Sequence, residues 1–127
     1  MYDIMVESEN NLIIVALEGF WSESDFERFI ADQHAAHSQL KCPIGKHLLL
    51  CDLTKLNVST SNVAERSAVD LNSEGPRDAQ RVAIVISSAL LKLQMLRLLT
   101  RANAKIFDDI FSAREWLFSS EGDQTLI

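Results

Sequence analysis

The chain has 127 residues, of which 47% are hydrophobic and 24% are charged, and its formal net charge is −6. This composition is typical of one folded domain and excludes a disordered segment. The acidic balance argues against nucleic acid as a partner, and the apolar runs are too short for a transmembrane segment. We therefore expect a cytoplasmic protein with a single domain over residues 1–127, whose residues 119–127 form a frayed tail.

The first part of the chain predicts two strands and a helix. Apolar, partly β-branched segments at 2–7 and 12–17 indicate strands, and the two asparagines between them suit the positive φ of a tight turn, so the strands should be antiparallel. Ser24 is expected to cap the following helix, with Glu27 completing a capping box. The buried stripe of this helix is predicted to contain Phe26, Phe29, Ile30, Ala36 and Leu40.

The middle of the chain predicts a buried strand that ends in a polar loop. Residues 48–51 form a continuous apolar run, as in strands that are covered on both faces. Asp52 then makes the chain polar, and a hydroxyl-rich loop leads to a predicted helix at about 63–73. Such a strand end is where open α/β sheets usually place their functional site. The candidate residues of this loop are Asp52, Thr54, Ser59, Thr60, Ser61 and Asn62.

The last part of the chain alternates strands and helices. We predict a strand at 81–87, a helix at about 88–101, a short strand at 105–107 and a final helix that starts near Asp109. The packing residues expected in that final helix are Phe111, Trp116 and Leu117. The order β-β-α-β-α-β-α-β-α predicts an α/β sandwich, with a mostly parallel five-stranded sheet, one antiparallel edge and helices on both faces.

The predicted helix at 88–101 is apolar around most of its circumference. A helix that rests on one sheet needs an apolar arc of about 100°, and this helix has roughly twice that. The excess predicts a homodimer interface, a contact with another protein, or the wall of a hydrophobic pocket. Contact with neighbouring helices of the same chain is the alternative. The residues assigned to this interface or pocket are Leu91, Met95, Leu98 and Leu99.

Charge is distributed unevenly along the chain. Residues 1–76 contain 5 Lys/Arg and 12 Asp/Glu, for a net charge of −7, whereas residues 77–127 contain 7 and 6, for a net charge of +1. No acidic residue occurs from 79 to 107. This asymmetry favours attraction of an acidic partner or an anionic surface, although a solvated basic helix face is the alternative. The predicted contacts to an anionic partner are Lys92, Arg97 and Arg101.

The sequence contains no motif that requires catalysis. His34 and His37 lie one helical turn apart, but no third ligand is placed beside them, so we expect neither a metal nor another cofactor. Cys42 and Cys51 are expected to be reduced thiols. Asp52 is the single candidate for a general base, and an activity centred on it is the alternative to a non-catalytic protein.

Three segments of the sequence resemble a known family. They are HLLLCDLTKL, RVAIVISSALLKLQMLRLL and AKIFDDIFSAREWL, at residues 47–56, 81–99 and 104–117. They resemble the third strand, the fourth strand with its helix, and the last strand with its helix in the SpoIIAA-like branch of the STAS superfamily. The resemblance extends over residues 2–118. It implies a SpoIIAA-like fold and a protein-interaction role related to that of anti-sigma-factor antagonists.

The resemblance also identifies a possible phosphorylation site. In the antagonists, the loop after the third strand carries an Asp-Ser-Ser-Gly motif whose first serine is phosphorylated by the anti-sigma factor. That serine aligns with Ser61, but the flanking Asp and Gly are replaced by Thr60 and Val63. We therefore expect an interaction module without an intact phosphorylation motif, in which the loop residues cap the helix.

An alternative function follows from the same resemblance. STAS domains are similar in topology to the lipid-transfer CRAL-TRIO domains. The predicted helices at 63–73 and 88–101 could therefore enclose a slot for a hydrophobic or anionic, lipid-like small molecule.

Overall fold

The computed structural model describes residues 1–43, 45–57, 65, 79–100 and 103–119 of the chain. The strands are β1 (Tyr2–Glu7), β2 (Leu12–Gly19), β3 (Leu48–Leu56), β4 (Arg81–Val85) and β5 (Ala104–Phe107). The helices bounded within these ranges are α1 (Glu23–Ala36), α2 (Ala89–Leu98) and α3 (Ile110–Phe118). The predicted helix at 63–73 lies outside the described residues, Glu65 excepted.

The five strands form one sheet in the order β1-β2-β3-β4-β5. β1 is antiparallel to β2, and the pairs β2–β3, β3–β4 and β4–β5 are parallel. The predicted mostly parallel sheet with one antiparallel edge is therefore confirmed. Its antiparallel edge is the hairpin at the start of the chain. A short turn can join antiparallel strands, whereas parallel strands need a longer crossover connection.

The connection between β1 and β2 contains a short 3₁₀ turn. Ser8–Asn10 form one turn of 3₁₀ helix, and the main-chain N–H of Asn11 donates to the carbonyl oxygen of Ser8 at 3.3 Å. Asn11 has a φ of 51°, in the left-handed region that asparagine tolerates. The prediction of a positive φ at an asparagine is confirmed, but a 3₁₀ turn takes the place of the predicted tight turn at the two asparagines.

Helices cover the sheet on both faces, as predicted. α1 and α2 pack on one face, where the buried side chains come from alternate positions of the central strands. α3 packs on the other face, where Ala113 and Leu117 meet Leu12, Leu50 and Val85. β3 and β4 contribute side chains to both layers, which accounts for the continuous apolar runs at residues 48–51 of β3 and 82–85 of β4. Phe111, by contrast, is 72% exposed, and the predicted packing role for it is wrong.

The first helix begins two residues earlier than predicted. Ser22, rather than Ser24, is the N-cap, and its hydroxyl accepts from the main-chain N–H of Asp25 at 3.3 Å. The Asp25 carboxylate accepts in return from the main-chain N–H of Ser22 at 2.8 Å, and this hydrogen bond and that from the Ser22 hydroxyl lower the pKa of Asp25. The capping box fixes the helix immediately after Trp21, whose indole N–H donates to the carbonyl oxygen of Glu18 at 3.0 Å.

A buried arginine ties α3 to the sheet. Arg81, the first residue of β4, donates from Nη1 to the main-chain carbonyl oxygens of Trp116 at 2.9 Å, Leu117 at 3.3 Å and Ser119 at 2.7 Å. These oxygens belong to the end of the helix, where the backbone leaves carbonyls without helical partners. The last turn of α3 has no basic residue of its own. Arg81 therefore supplies the positive charge that a helix C-terminus favours.

Candidate functional site

Helix α2 contributes one buried row of side chains to the core. The hydroxyl of Ser88 caps its N-terminus by accepting from the main-chain N–H of Leu91 at 3.2 Å, which sets the helix rotation after β4. Leu91 and Met95 lie one turn apart and are 0% exposed. Leu98 and Leu99 are partly buried against the same core. The predicted assignment of Leu91 and Met95 to a docking interface is thus corrected, because these side chains pack inside their own chain.

The exposed apolar surface of α2 is formed by three other leucines. Leu90, Leu93 and Leu96 are 60%, 62% and 59% exposed. Their spacing of three residues places them along one side of the helix, away from the buried row. We call these three side chains the leucine surface. Part of the over-wide apolar arc is therefore on the outside, as the sequence predicted, but at different positions.

The cations predicted to contact an anionic partner differ in their surroundings. Lys92 lies on α2 with its Nζ 3.6 Å from Oδ1 of Asp108, so its charge is partly compensated. Arg97 is exposed in the last turn of the helix. Arg101 lies outside the described residues. The basic character of this side of the molecule in the described part therefore depends mainly on Arg97.

Strand β3 continues five residues beyond the predicted apolar run. Asp52 and Thr54 therefore lie within a strand rather than in a loop. The register against β2 shifts at this point, because Ala16 pairs with Asp52 but Glu18 pairs with Lys55. The extra residue makes a β-bulge. The sequence predicts a loop at Asp52 and Thr54 because the polar residues at the bulge interrupt the apolar pattern of the strand.

The Asp52 carboxylate stabilises this bulge. Its Oδ1 accepts from the main-chain N–H of Thr54 at 3.0 Å and from the Thr54 hydroxyl at 2.6 Å. The carbonyl oxygen of Thr54 accepts in turn from the Ser87 hydroxyl at 3.1 Å. These bonds provide partners for main-chain groups that the bulge removes from the regular hydrogen bonding between strands. Asp52 is thus already engaged as a hydrogen-bond acceptor within its own strand.

The remaining residues of the predicted phospho-acceptor loop, Ser59, Thr60, Ser61 and Asn62, lie outside the described residues. The same holds for the predicted slot between the helix at 63–73 and α2. The expected loss of the phosphorylation motif around Ser61 and the alternative of a lipid-like ligand stay predictions.

Asp52 also borders a cleft of about 450 Å³ that is lined by residues of β1, β2 and β3. The charged side chains that line it are Asp3, Glu18, Asp52 and Lys55. Sequence reasoning missed this cleft, since its acidic residues come from three strands and meet only through the register of the sheet. No single segment carries a signal for it.

Two histidines form a buried pair that the sequence did not indicate. His37 and His47 have their ring centroids 4.7 Å apart in an edge-to-face arrangement, and both are buried. Nδ1 of His37 is 3.0 Å from the carbonyl oxygen of Gln33. His34 is exposed, and its ring centroid lies 6.1 Å from that of His37. Within the described residues, no three metal-binding side chains come close enough to hold an ion.

Comparisons with known proteins support the fold. No protein-family model matches the chain, and no curated protein is significantly similar to it in sequence. A solved structure, that of an uncharacterised DUF3478-family protein with a SpoIIAA-like fold from Shewanella loihica PV-4, matches with a TM-score of 0.58 at 17% identity. The match covers 91% of this chain and 93% of the other. The chain therefore has a SpoIIAA-like fold, which confirms the resemblance predicted from its sequence.

The structural match establishes the fold alone, because the matching protein is itself uncharacterised. Among the described ranges, no helix combines the length and the apolar character that crossing a bilayer requires.

Proposed function

We propose that this protein is a non-catalytic interaction module that docks through the leucine surface of α2, and that the partner is a second copy of the chain. The proposal rests on the different exposure of the apolar side chains on the two sides of α2. Leu91 and Met95 are fully buried and hold the helix on the sheet, whereas Leu90, Leu93 and Leu96 remain about 60% exposed. Three adjacent exposed leucines contribute nothing to the core of the monomer, and contiguous apolar surface of this kind marks interaction sites.

The geometry of the leucine surface suits packing against another helix. Side chains spaced three residues apart form a ridge that can enter the groove of a second helix. Burying a leucine that is now about 60% exposed stabilises a complex by about 1–2 kcal/mol. Six such side chains at a two-fold interface, offset by the entropic cost of association, are sufficient for a weak dimer with a Kd of roughly micromolar order.

The surroundings of Asp52 support a non-catalytic role. Oδ1 of Asp52 already accepts two hydrogen bonds from Thr54. These bonds give Asp52 a structural role in the bulge.

Sedimentation velocity at micromolar concentration tests the proposed dimer. The wild type should sediment as a dimer, and Leu93→Glu should sediment as a folded monomer because it places a charge at the centre of the leucine surface. Phe111→Glu is the matched control, since Phe111 is also exposed but lies on the opposite face of the sheet. Wild type and Leu93→Glu both running as well-folded monomers would contradict the proposal, as would equal disruption by Phe111→Glu.

Native mass spectrometry of gently purified protein separates this proposal from the lipid-like carrier. A ligand-free mass equal to that of the dimer supports docking, and a ligand-free mass in either state removes the main support for the carrier. A co-purifying lipid that survives Leu93→Glu would instead favour the carrier.

A further inference from the structure

The edge of the sheet at β1 is open. β1 is the first strand in the order of the sheet and pairs on one side only, with β2. Within the described part of the chain, no strand lies on its other side. An open edge offers main-chain N–H and carbonyl groups to an added strand.

The hydrogen bonds of the hairpin show which residues present these groups. The main-chain N–H of Glu18 donates to the carbonyl oxygen of Met1 at 2.9 Å, and the N-terminal ammonium of Met1 donates to the carbonyl oxygen of Glu18 at 3.2 Å. In an antiparallel ladder, bonded and non-bonded pairs alternate. The main-chain groups of Tyr2, Ile4 and Val6 therefore point away from β2, towards the open edge.

A groove of about 400 Å³ runs beside this edge, between β1 and α1. The same three β1 residues contribute side chains to it, and from α1 and the following turn it is lined by Asp32, Ala35, Ala36 and Gln39. Two alanines leave space next to the edge because their side chains end at Cβ. The Tyr2 hydroxyl donates to the Asp32 carboxylate and so links the strand to the helix.

The charge at this edge selects the kind of occupant. Asp3 and Asp32 both lie at this edge, and among the described residues no basic side chain lines the groove. Pairing β1 with β1 of a second copy would bring these carboxylates close to their counterparts, and like charges on paired strands are destabilising. A strand with basic side chains would instead be attracted.

We propose that the open edge of β1 and the groove beside it bind an extended segment of a partner protein, with alternating apolar and basic residues, as an additional antiparallel strand. Its apolar side chains lie over the groove, and its basic side chains lie on the face of the sheet that carries Asp3. Strand addition of this kind takes its affinity from main-chain hydrogen bonds and its specificity from pockets for alternate side chains. This interface is separate from the leucine surface of α2.

Peptide backbone methylation provides the test. The probe is the capped peptide Lys-Val-Lys-Val-Lys-Val-Lys, measured by isothermal titration calorimetry against the full-length chain. In the proposed register, the valine N–H groups face β1, because bonded residues in an antiparallel pair have their side chains on the same face. N-methylation of the valines should weaken binding about tenfold or more, since it removes these donors. N-methylation of an equal number of lysines, whose N–H groups face solvent, should leave binding unchanged.

Variants of the protein locate the site. Ala35→Arg fills the groove and adds a positive charge, and it should abolish binding. Ala31→Arg is the matched control, because Ala31 is exposed on the same helix but does not line the groove. Leu93→Glu should bind the peptide like the wild type, so the failure of the proposed dimer and the failure of this site are distinguishable.

Three results would overturn the proposal. The first is the absence of saturable binding by the unmethylated peptide. The second is equal affinity of the two methylated peptides, which would indicate attraction by charge without strand pairing. The third is loss of self-association in Ala35→Arg with retention in Leu93→Glu, which would assign the edge to a second copy of the chain.

Discussion

Replacing the buried arginine that caps α3 should strongly reduce stability. Arg81→Met keeps most of the length of the side chain but removes the guanidinium that donates to the carbonyl oxygens of Trp116, Leu117 and Ser119. A hydrogen bond from a charged donor contributes about 1.5–3 kcal/mol, and a cation at a helix C-terminus adds up to about 2 kcal/mol. The three bonds share one nitrogen and are not additive. We expect a loss of about 2–4 kcal/mol in the free energy of unfolding.

Urea denaturation followed by circular dichroism and tryptophan fluorescence measures this loss. Trp116 is a local probe, since the Arg81 guanidinium carbon lies 5.7 Å from the centre of its ring. Lys55→Met, which removes an exposed cation from β3, is the control and should cost less than about 0.5 kcal/mol. Arg81→Lys should restore only part of the stability, because an ammonium cannot reproduce the planar donor geometry. A loss below about 1 kcal/mol in Arg81→Met would refute the reasoning.

Three further variants test individual contacts. Hydrogen bonds from Arg114, at 2.9 and 3.0 Å, are the main cause that lowers the pKa of Glu7 below its ordinary value of 4.5. Because both side chains are about one-third exposed, Glu7→Gln should lower the free energy of unfolding by only about 0.5–1 kcal/mol. The full loss should be seen above pH 4.5, and it should shrink as the pH falls through the lowered pKa of Glu7. A loss that does not depend on pH would exclude this linkage. Asp52→Ala should cost about 1–2 kcal/mol in urea denaturation, because the N–H of Thr54 loses its acceptor; an unchanged midpoint would contradict the structural role. Ser22→Ala should lower stability by about 1 kcal/mol, whereas Ser24→Ala, which loses the 3.0 Å contact between the two hydroxyl oxygens, should cost less than about 0.5 kcal/mol. The reverse result would restore the original cap assignment.

The fold could be predicted because the sequence patterns that specify its strands and helix caps are local. The apolar runs in β3 and β4 are too continuous for half-exposed strands, and their burial on both faces follows directly. Ser88 and Asp109 cap α2 and α3 where the sequence predicts helix starts. The cap of α1 was misplaced because two serines, each followed by an acidic residue three positions later, compete for the role. The hydrogen bond and ring packing of Trp21 favour the first serine.

The candidate sites depend on contacts that the sequence does not encode locally. The apolar arc of α2 indicates that some leucines are exposed, but not which ones. The rotation that buries Leu91 and Met95 is set where β4 ends and Ser88 caps the helix. The groove beside β1 likewise needs the packing of α1 against the edge strand, which joins residues about thirty positions apart.

A dilution series with methyl-labelled leucines, recorded by NMR, tests the docking account most directly. Between micromolar and millimolar protein, the methyl signals of Leu90, Leu93 and Leu96 should shift with concentration, while those of the buried Leu91 remain nearly constant. Leu93→Glu should remove the concentration dependence at the other two leucines. Signals that do not change with concentration, or changes confined to the face that carries α3, would contradict docking through the leucine surface.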